Sequence, residues 1–194
     1  MEDNFDYMPK KARVFKKYSE LGYNKLQIEE IEICLDRNLD IEKYITPEFN
    51  HIQIRNIRWG LESNLDVSYY ANPKYSHLKM EQIRECVKLG EKYLSPIRLG
   101  LKKYNWHQIV EIRRGIEEGV DALLYNDPKY KWEQMAEIRK GLMAHVDIWQ
   151  YNNKRFSAEQ MREIRYGLED HFDVSKYTDP DIPPERMRSI RQYG

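Results

Sequence analysis

A unit of sequence repeated at a fixed offset limits what this chain can fold into. The run Gln134-Met135-Ala136-Glu137-Ile138-Arg139-Lys140-Gly141-Leu142 returns 26 residues later as Gln160-Met161-Arg162-Glu163-Ile164-Arg165-Tyr166-Gly167-Leu168. Each copy leads into an Asp-led turn, Asp147-Ile148-Trp149-Gln150-Tyr151 and Asp173-Val174-Ser175-Lys176-Tyr177. Self-similarity at a period of this size marks a stacked array, because one short unit cannot bury its own apolar face and needs neighbours to cover it.

The unit is traced through one apolar anchor per copy: Ile28, Ile54, Met80, Ile109, Met135, Met161 and Met187, at gaps of 26, 26, 29, 26, 26 and 26. Three residues after each anchor stands Ile31, Ile57, Ile83, Ile112, Ile138, Ile164 or Ile190, and seven after stands Leu35, Leu61, Val87, Ile116, Leu142 or Leu168. This spacing puts them on one face of a helix and predicts that the face is buried. Six after the anchor comes a small residue: Cys34, Gly60, Cys86, Gly115, Gly141 or Gly167. A mid-helix glycine costs about 1 kcal/mol relative to alanine, so its recurrence predicts a neighbouring element packed close against it. The cysteines share this slot and read as packing residues.

Local signals bound each helix. Asn24, Asn50, Ser76, Asn105 and Ser157 stand four before the anchor, where their side chains accept from free N–H groups of the first turn. Lys131 and Pro183 depart from this, although Pro184 suits a first helical position. Asn38, Asn64, Gly90, Gly119, His145 and His171 stand ten after it and read as left-handed terminators, the histidines included. Asp40, Asp66, Asp121, Asp147 and Asp173 then cap a one-turn helix carrying Tyr44, Tyr70, Tyr125, Tyr151 or Tyr177. Pro47, Pro73, Pro128 and Pro180 stop that turn, and an aromatic follows in most copies (Phe49, Tyr75, Tyr104, Tyr130, Phe156). The unit is therefore a helix of about 13 residues, a short helix and a tight connection.

The expected fold is all-α: a right-handed or superhelical solenoid of about six to seven 26-residue repeats. The copies are 23–48, 49–74, 75–103, 104–129, 130–155, 156–181 and a partial 182–194, after an N-terminal segment 1–22. That segment carries a basic cluster, Lys10, Lys11, Arg13, Lys16 and Lys17, beside apolar Ala12, Val14, Phe15, Tyr18 and Leu21. It reads as a helical cap on the first copy or as a basic patch for an acidic partner. The third copy is three residues longer, and Lys92-Tyr93-Leu94-Ser95-Pro96-Ile97-Arg98-Leu99-Gly100-Leu101 mimics the helix motif out of phase. A kink or a longer second helix is expected there, as a neutral insertion or as a bend that shapes a concave surface.

Composition excludes more than it assigns. Zero net charge with 33% charged residues is a mixed surface, unlike the basic balance of a protein that holds nucleic acid mainly through phosphates. Two cysteines without CxxC spacing suit a reducing compartment. No signal peptide and no transmembrane run is read, so a cytoplasmic location without membrane contact is expected. There is no phosphate loop, nucleophile elbow or metal-spaced histidine pair. No catalytic residue, cofactor or metal is assigned, and the chain reads as a non-enzyme.

Two rows of residues remain as binding candidates. Arg58, Arg84, Arg113, Arg139, Arg165 and Arg191 recur four after the anchor. They serve either phosphate tracking, together with the basic N-terminus, or packing, each pairing with a repeat aspartate or with Glu111, Glu137 or Glu163. A feature present in every copy serves stacking more often than a unique site, and the structural reading is preferred. Positions one, five and eight after the anchor vary between copies and form an outward stripe. Ile33, Trp59, Val110, Arg114, Met143 and Tyr166 on it are the candidate partner-binding residues, Trp and Tyr being favoured interface anchors. Trp106 and Trp132, at helix starts, extend that surface or pack on the neighbouring turn.

The pattern of Gln160–Glu169, with Asp66-Val67-Ser68-Tyr69-Tyr70-Ala71-Asn72-Pro73-Lys74-Tyr75, resembles a short helical repeat of proteins from bacteria, their phages and mobile elements. The resemblance spans roughly residues 23–191, with the third copy departing from it. It transfers no catalytic residue. It carries no known activity, and through the mobile-element association it implies an anti-defence inhibitor such as one directed at a CRISPR nuclease; protein binding rests on the outward stripe. Nucleic-acid binding is the alternative function.

Overall fold

The computed structural model describes residues 8–90 and 102–194. Among these residues there are eight α-helices and no strand. The chain divides into two compact units, Met1–Gly90 and Glu91–Gly194. The first holds α1 (Lys10–Glu20), α2 (Lys25–Asp36), α3 (His51–Glu62) and α4 (His77–Lys88). The second holds α5 (Trp106–Glu117), α6 (Trp132–Met143), α7 (Ala158–Glu169) and α8 (Pro184–Tyr193). Within each unit every helix packs on the next in sequence. The division falls inside the long third copy; the kink expected over Lys92–Leu101 lies outside the described residues.

The helix ends are made locally. Asn24, Asn50, Ser76, Asn105 and Ser157 each accept from the N–H three residues on. At the other end Asn38, Asn64, His145 and His171 take φ between 53° and 58°, and Gly90 and Gly119 are also left-handed. Leu39, Leu65, Val120, Val146 and Phe172 then donate their N–H groups back to Cys34, Gly60, Gly115, Gly141 and Gly167, the Schellman closure, at 2.7–3.1 Å. Each of α2 to α7 runs 12 residues, one short of the expected length.

One glutamine ties each helix start to the next connection. Gln53 accepts from the Asn50 N–H at 2.7 Å and donates to the carbonyls of Pro73 and Tyr75 at 3.0 and 2.5 Å. Gln27, Gln108, Gln134 and Gln160 repeat the arrangement. This satisfies two carbonyls that lie among buried side chains, where an unpaired acceptor costs about 1–3 kcal/mol. In α4 the position holds Lys79, which is buried. Its Nζ lies 4.2 Å from the Tyr75 ring centroid, and burial lowers its pKa.

The recurring glycine receives a tyrosine. A Cβ on Gly60, Gly115, Gly141 or Gly167 would lie 1.8–1.9 Å from the hydroxyl of Tyr70, Tyr125, Tyr151 or Tyr177. These rings are fully buried, and each hydroxyl donates to a helix carbonyl (Asn56, Glu111, Glu137, Glu163) at 3.1–3.4 Å. A 3-10 turn presents each tyrosine: Val67–Tyr69, Ala122–Leu124, Ile148–Gln150 or Val174–Lys176, capped by Asp66, Asp121, Asp147 or Asp173. The first copy differs from expectation. Cys34 fills the glycine slot, Tyr44 is left half-exposed, and residues 41–44 make turns without a 3-10 helix. A side chain at the socket leaves no room for the ring.

The core also departs from the simple stripe. Anchors and the residues three beyond them are buried in every copy from Ile28 to Ile164, but Ile190 is half-buried. Leu35, Leu61, Val87, Ile116, Leu142 and Leu168, seven beyond, are only half-buried. Polar residues take the space instead: Glu30, Asn56, Glu111, Glu137 and Glu163, two beyond the anchor, are all under 5% exposed.

Candidate interaction site

Burying those carboxylates requires a cation for each, and the arginine row supplies it. Arg58 donates through Nε to Glu30, Arg139 to Glu111 and Arg165 to Glu137, each at 3.0 Å. Arg191 reaches Glu163 at 2.9 Å. The partner is always 28 residues back, on the preceding helix, so the pairs form a ladder between neighbouring helices. The repeat aspartates cap turns instead. Each of these arginines has a second carboxylate: Glu62 for Arg58 at 2.6 Å, Glu118 for Arg139 at 2.7 Å, Glu169 for Arg165 at 2.5 Å and Asp170 for Arg191 at 3.6 Å. Burial opposes the charge on Arg165, but hydrogen bonds and charges from Glu169 and Glu137 outweigh it and raise its pKa. Arg113 pairs with Glu117 at 2.5 Å.

Arg84 breaks this pattern. The position 28 back holds Asn56, whose Oδ1 accepts from Nη1 at 3.1 Å. The position four ahead, which holds Glu62 or Glu169 in other copies, holds Lys88. Among the described residues Arg84 pairs with a single carboxylate, that of its chain neighbour Glu85 at 3.1 Å, and Lys88 takes the same oxygen at 2.9 Å. Burial opposes ionisation of Glu85, but bonds from Lys88 and Arg84 outweigh it and lower its pKa.

Aromatic residues roof the ladder. The Trp59 ring lies 5.0 Å from the Arg84 guanidinium carbon and 6.0 Å from that of Arg58. Tyr166 lies 4.4 Å from that of Arg165 and 5.3 Å from that of Arg191. Both rings keep an open side, Trp59 at 39% and Tyr166 at 37% exposure. Beside Trp59 a shallow notch of about 340 Å³ is lined by Trp59, Glu62, Ser63, Arg84 and Lys88. Cation, aromatic wall and open space together suit the recognition of a side chain.

The other stripe residues are placed unevenly. Met143 is exposed, and exposed Arg114 donates to Glu111 at 2.9 Å. Ile33, five beyond its anchor, and Val110, one beyond, are half-buried, and Ala136, also one beyond, is buried. In the N-terminal helix Lys10 pairs with Asp36 at 2.7 Å and Lys17 with Glu42 at 2.9 Å; Lys11 is exposed, and Arg13 and Lys16 are half-buried. Buried Tyr18 also donates to Glu42, while Phe15 of the same helix and Leu21 just after it are exposed. His51 and His77, the first residues of α3 and α4, are half-buried. His107 stacks on Trp106 at 3.5 Å and Trp132 at 5.3 Å between centroids.

Trp149 and Leu123, at 70% and 59% exposure, were missed in the sequence reading. Both occupy the middle of a 3-10 turn, where other copies hold Ser68 and Ser175. That change from serine to an apolar residue was the available signal. Among the described residues no group of three or more His, Cys, Asp or Glu side chains is gathered as a metal site would require. No described helix is long and apolar enough to cross a membrane. Comparisons with protein-family models, with curated proteins and with solved structures yield no match.

Proposed function

We propose that this chain is a helical solenoid of six to seven 26-residue repeats that acts, without catalysis, by binding and occluding another protein. Trp59 and Tyr166 carry the reading. Each lies against a pair of guanidinium groups, yet presents an open ring to solvent. Rigid aromatic anchors lose little entropy on binding, which makes them efficient contact residues. The bonding of Arg58, Arg139 and Arg165 to buried carboxylates supports reading the arginine row as scaffold. Inhibition of a host defence component, a CRISPR nuclease among them, is the form of this activity that the resemblance to mobile-element repeats implies.

The test is capture of partners from a bacterial lysate with tagged protein, with and without nuclease. A stoichiometric protein that survives nuclease, and is lost with Trp59→Ala or Tyr166→Ala at unchanged helical content, is expected. Recovery only of nucleic acid, with binding that falls steeply with salt, would replace this reading with the nucleic-acid one.

A further inference from the structure

We propose that the notch formed by Trp59, Arg84 and Lys88 receives the carboxylate of an acidic side chain from a partner protein. This deepens the protein-binding reading and rests on it. The ladder sets the expectation against which Arg84 stands out. Arg58, Arg139, Arg165 and Arg191 each lie between two carboxylates, one of them buried and 28 residues back. At Arg84 the position 28 back holds Asn56, and the position four ahead, which supplies Glu62 to Arg58 and Glu169 to Arg165, holds Lys88. One substitution removes a negative charge and the other adds a positive one, and they converge on the same guanidinium. Glu85 serves both cations, and Glu62, in the notch wall, already accepts from Arg58 at 2.6 Å and from Arg37. Among the described residues the notch is therefore a site whose cations outnumber the carboxylates bonded to them, open to solvent and walled by an indole.

A carboxylate matches this chemistry. Guanidinium and ammonium groups on one side donate to its oxygens, and charge-assisted bonds of this kind are the stronger class. The Trp59 ring covers the apolar part of the incoming residue. An arginine already held by its stack and by Asn56 loses little freedom when the ligand arrives.

The experiment selects binders from a random peptide display library on the full-length protein. It then measures the selected peptides against wild type, Asn56→Glu, Lys88→Glu and Trp59→Ala. The first two variants install the glutamate that Glu30 or Glu62 supplies to Arg58, so they give Arg84 a carboxylate of the protein's own and should leave the melting temperature equal or higher. The expected result is peptides with Asp or Glu beside an apolar residue. Binding should weaken about tenfold or more in each variant, and equally when the peptide's acid is changed to its amide. The amide peptide keeps the test decisive should a variant fail to fold. Peptides indifferent to Asn56→Glu and to loss of their acid would overturn the notch while leaving protein binding through Tyr166 standing. Selection of no peptide would overturn both. An oligothymidylate that binds wild type and is lost in the same variants would make the notch a phosphate site and overturn the proposal.

Discussion

Gly141→Ala tests the tyrosine socket because two rules predict opposite signs. By helix propensity alone, alanine at a mid-helix glycine stabilises by about 1 kcal/mol. The added Cβ, however, would sit 1.8 Å from the Tyr151 hydroxyl and 3.1 Å from both its Cζ and Ile148 Cγ2. The ring is fully buried and its hydroxyl donates to the Glu137 carbonyl at 3.2 Å, so it cannot shift within the core and must leave. Expelling a large buried aromatic costs about 3–5 kcal/mol, which against the propensity gain leaves a net loss of about 2–4 kcal/mol. Tyr151→Phe alone should cost about 1 kcal/mol for the lost hydrogen bond. The double variant should cost clearly less than the sum, since removing the hydroxyl removes the shortest contact. Urea denaturation followed by circular dichroism gives all four stabilities. A neutral or stabilising Gly141→Ala, or strict additivity, would refute the socket. The first copy is a natural precedent, with Cys34 in the slot and Tyr44 undocked.

Other expectations follow from the same geometry. Glu137→Asn gives Arg165 the asparagine that Arg84 has 28 residues back; it should cost about 2–3 kcal/mol, below the usual loss for a broken buried pair because Glu169 still holds Arg165. Gln108→Ala strips an acceptor from the Asn105 N–H and a donor from the Pro128 and Tyr130 carbonyls, and should cost about 2 kcal/mol and speed hydrogen exchange at the start of α5. Burial pushes the Cys34 thiol up to about 12, so a thiol reagent at pH 8 should leave it unmodified until denaturant is added; rapid labelling of the folded protein would contradict its packing. Burial likewise pushes Tyr104 and Tyr177 up to about 12. Between pH 10 and 12 the unfolded chain releases those protons while the fold retains them, so stability should fall with rising pH, and phenolate absorbance should rise with unfolding rather than before it.

The sequence carried the local half of this structure and only part of the rest. Helix starts at Asn50 or Ser157 and terminators at Asn64 or His171 were legible because the atoms that make them lie within a few residues of one another. The glycine period announced a close neighbour, but its identity, a tyrosine ten residues on, emerged only when the 3-10 turn was folded back onto the helix. Periodicity misjudged the half-buried leucines and valine because an apolar residue marks a face and not its width.

The arginine row was visible as a row, and pairing with Glu111, Glu137 or Glu163 was preferred for it over phosphate, but the packing that makes those pairs was not legible. Whether Arg165 meets a phosphate or Glu137 depends on which face the preceding helix presents, and no spacing within one helix encodes that. For the same reason nothing in the spacing singled out Asn56, which packing places against Arg84. The sequence by itself determined the helices, their ends and the period at which they recur, since those rest on short-range sterics and hydrogen bonds. Only the tertiary structure decided which charges are paired across helices and which arginine has an asparagine in place of a carboxylate beside an open ring, because that pairing joins residues 28 apart that meet only when helix packs on helix.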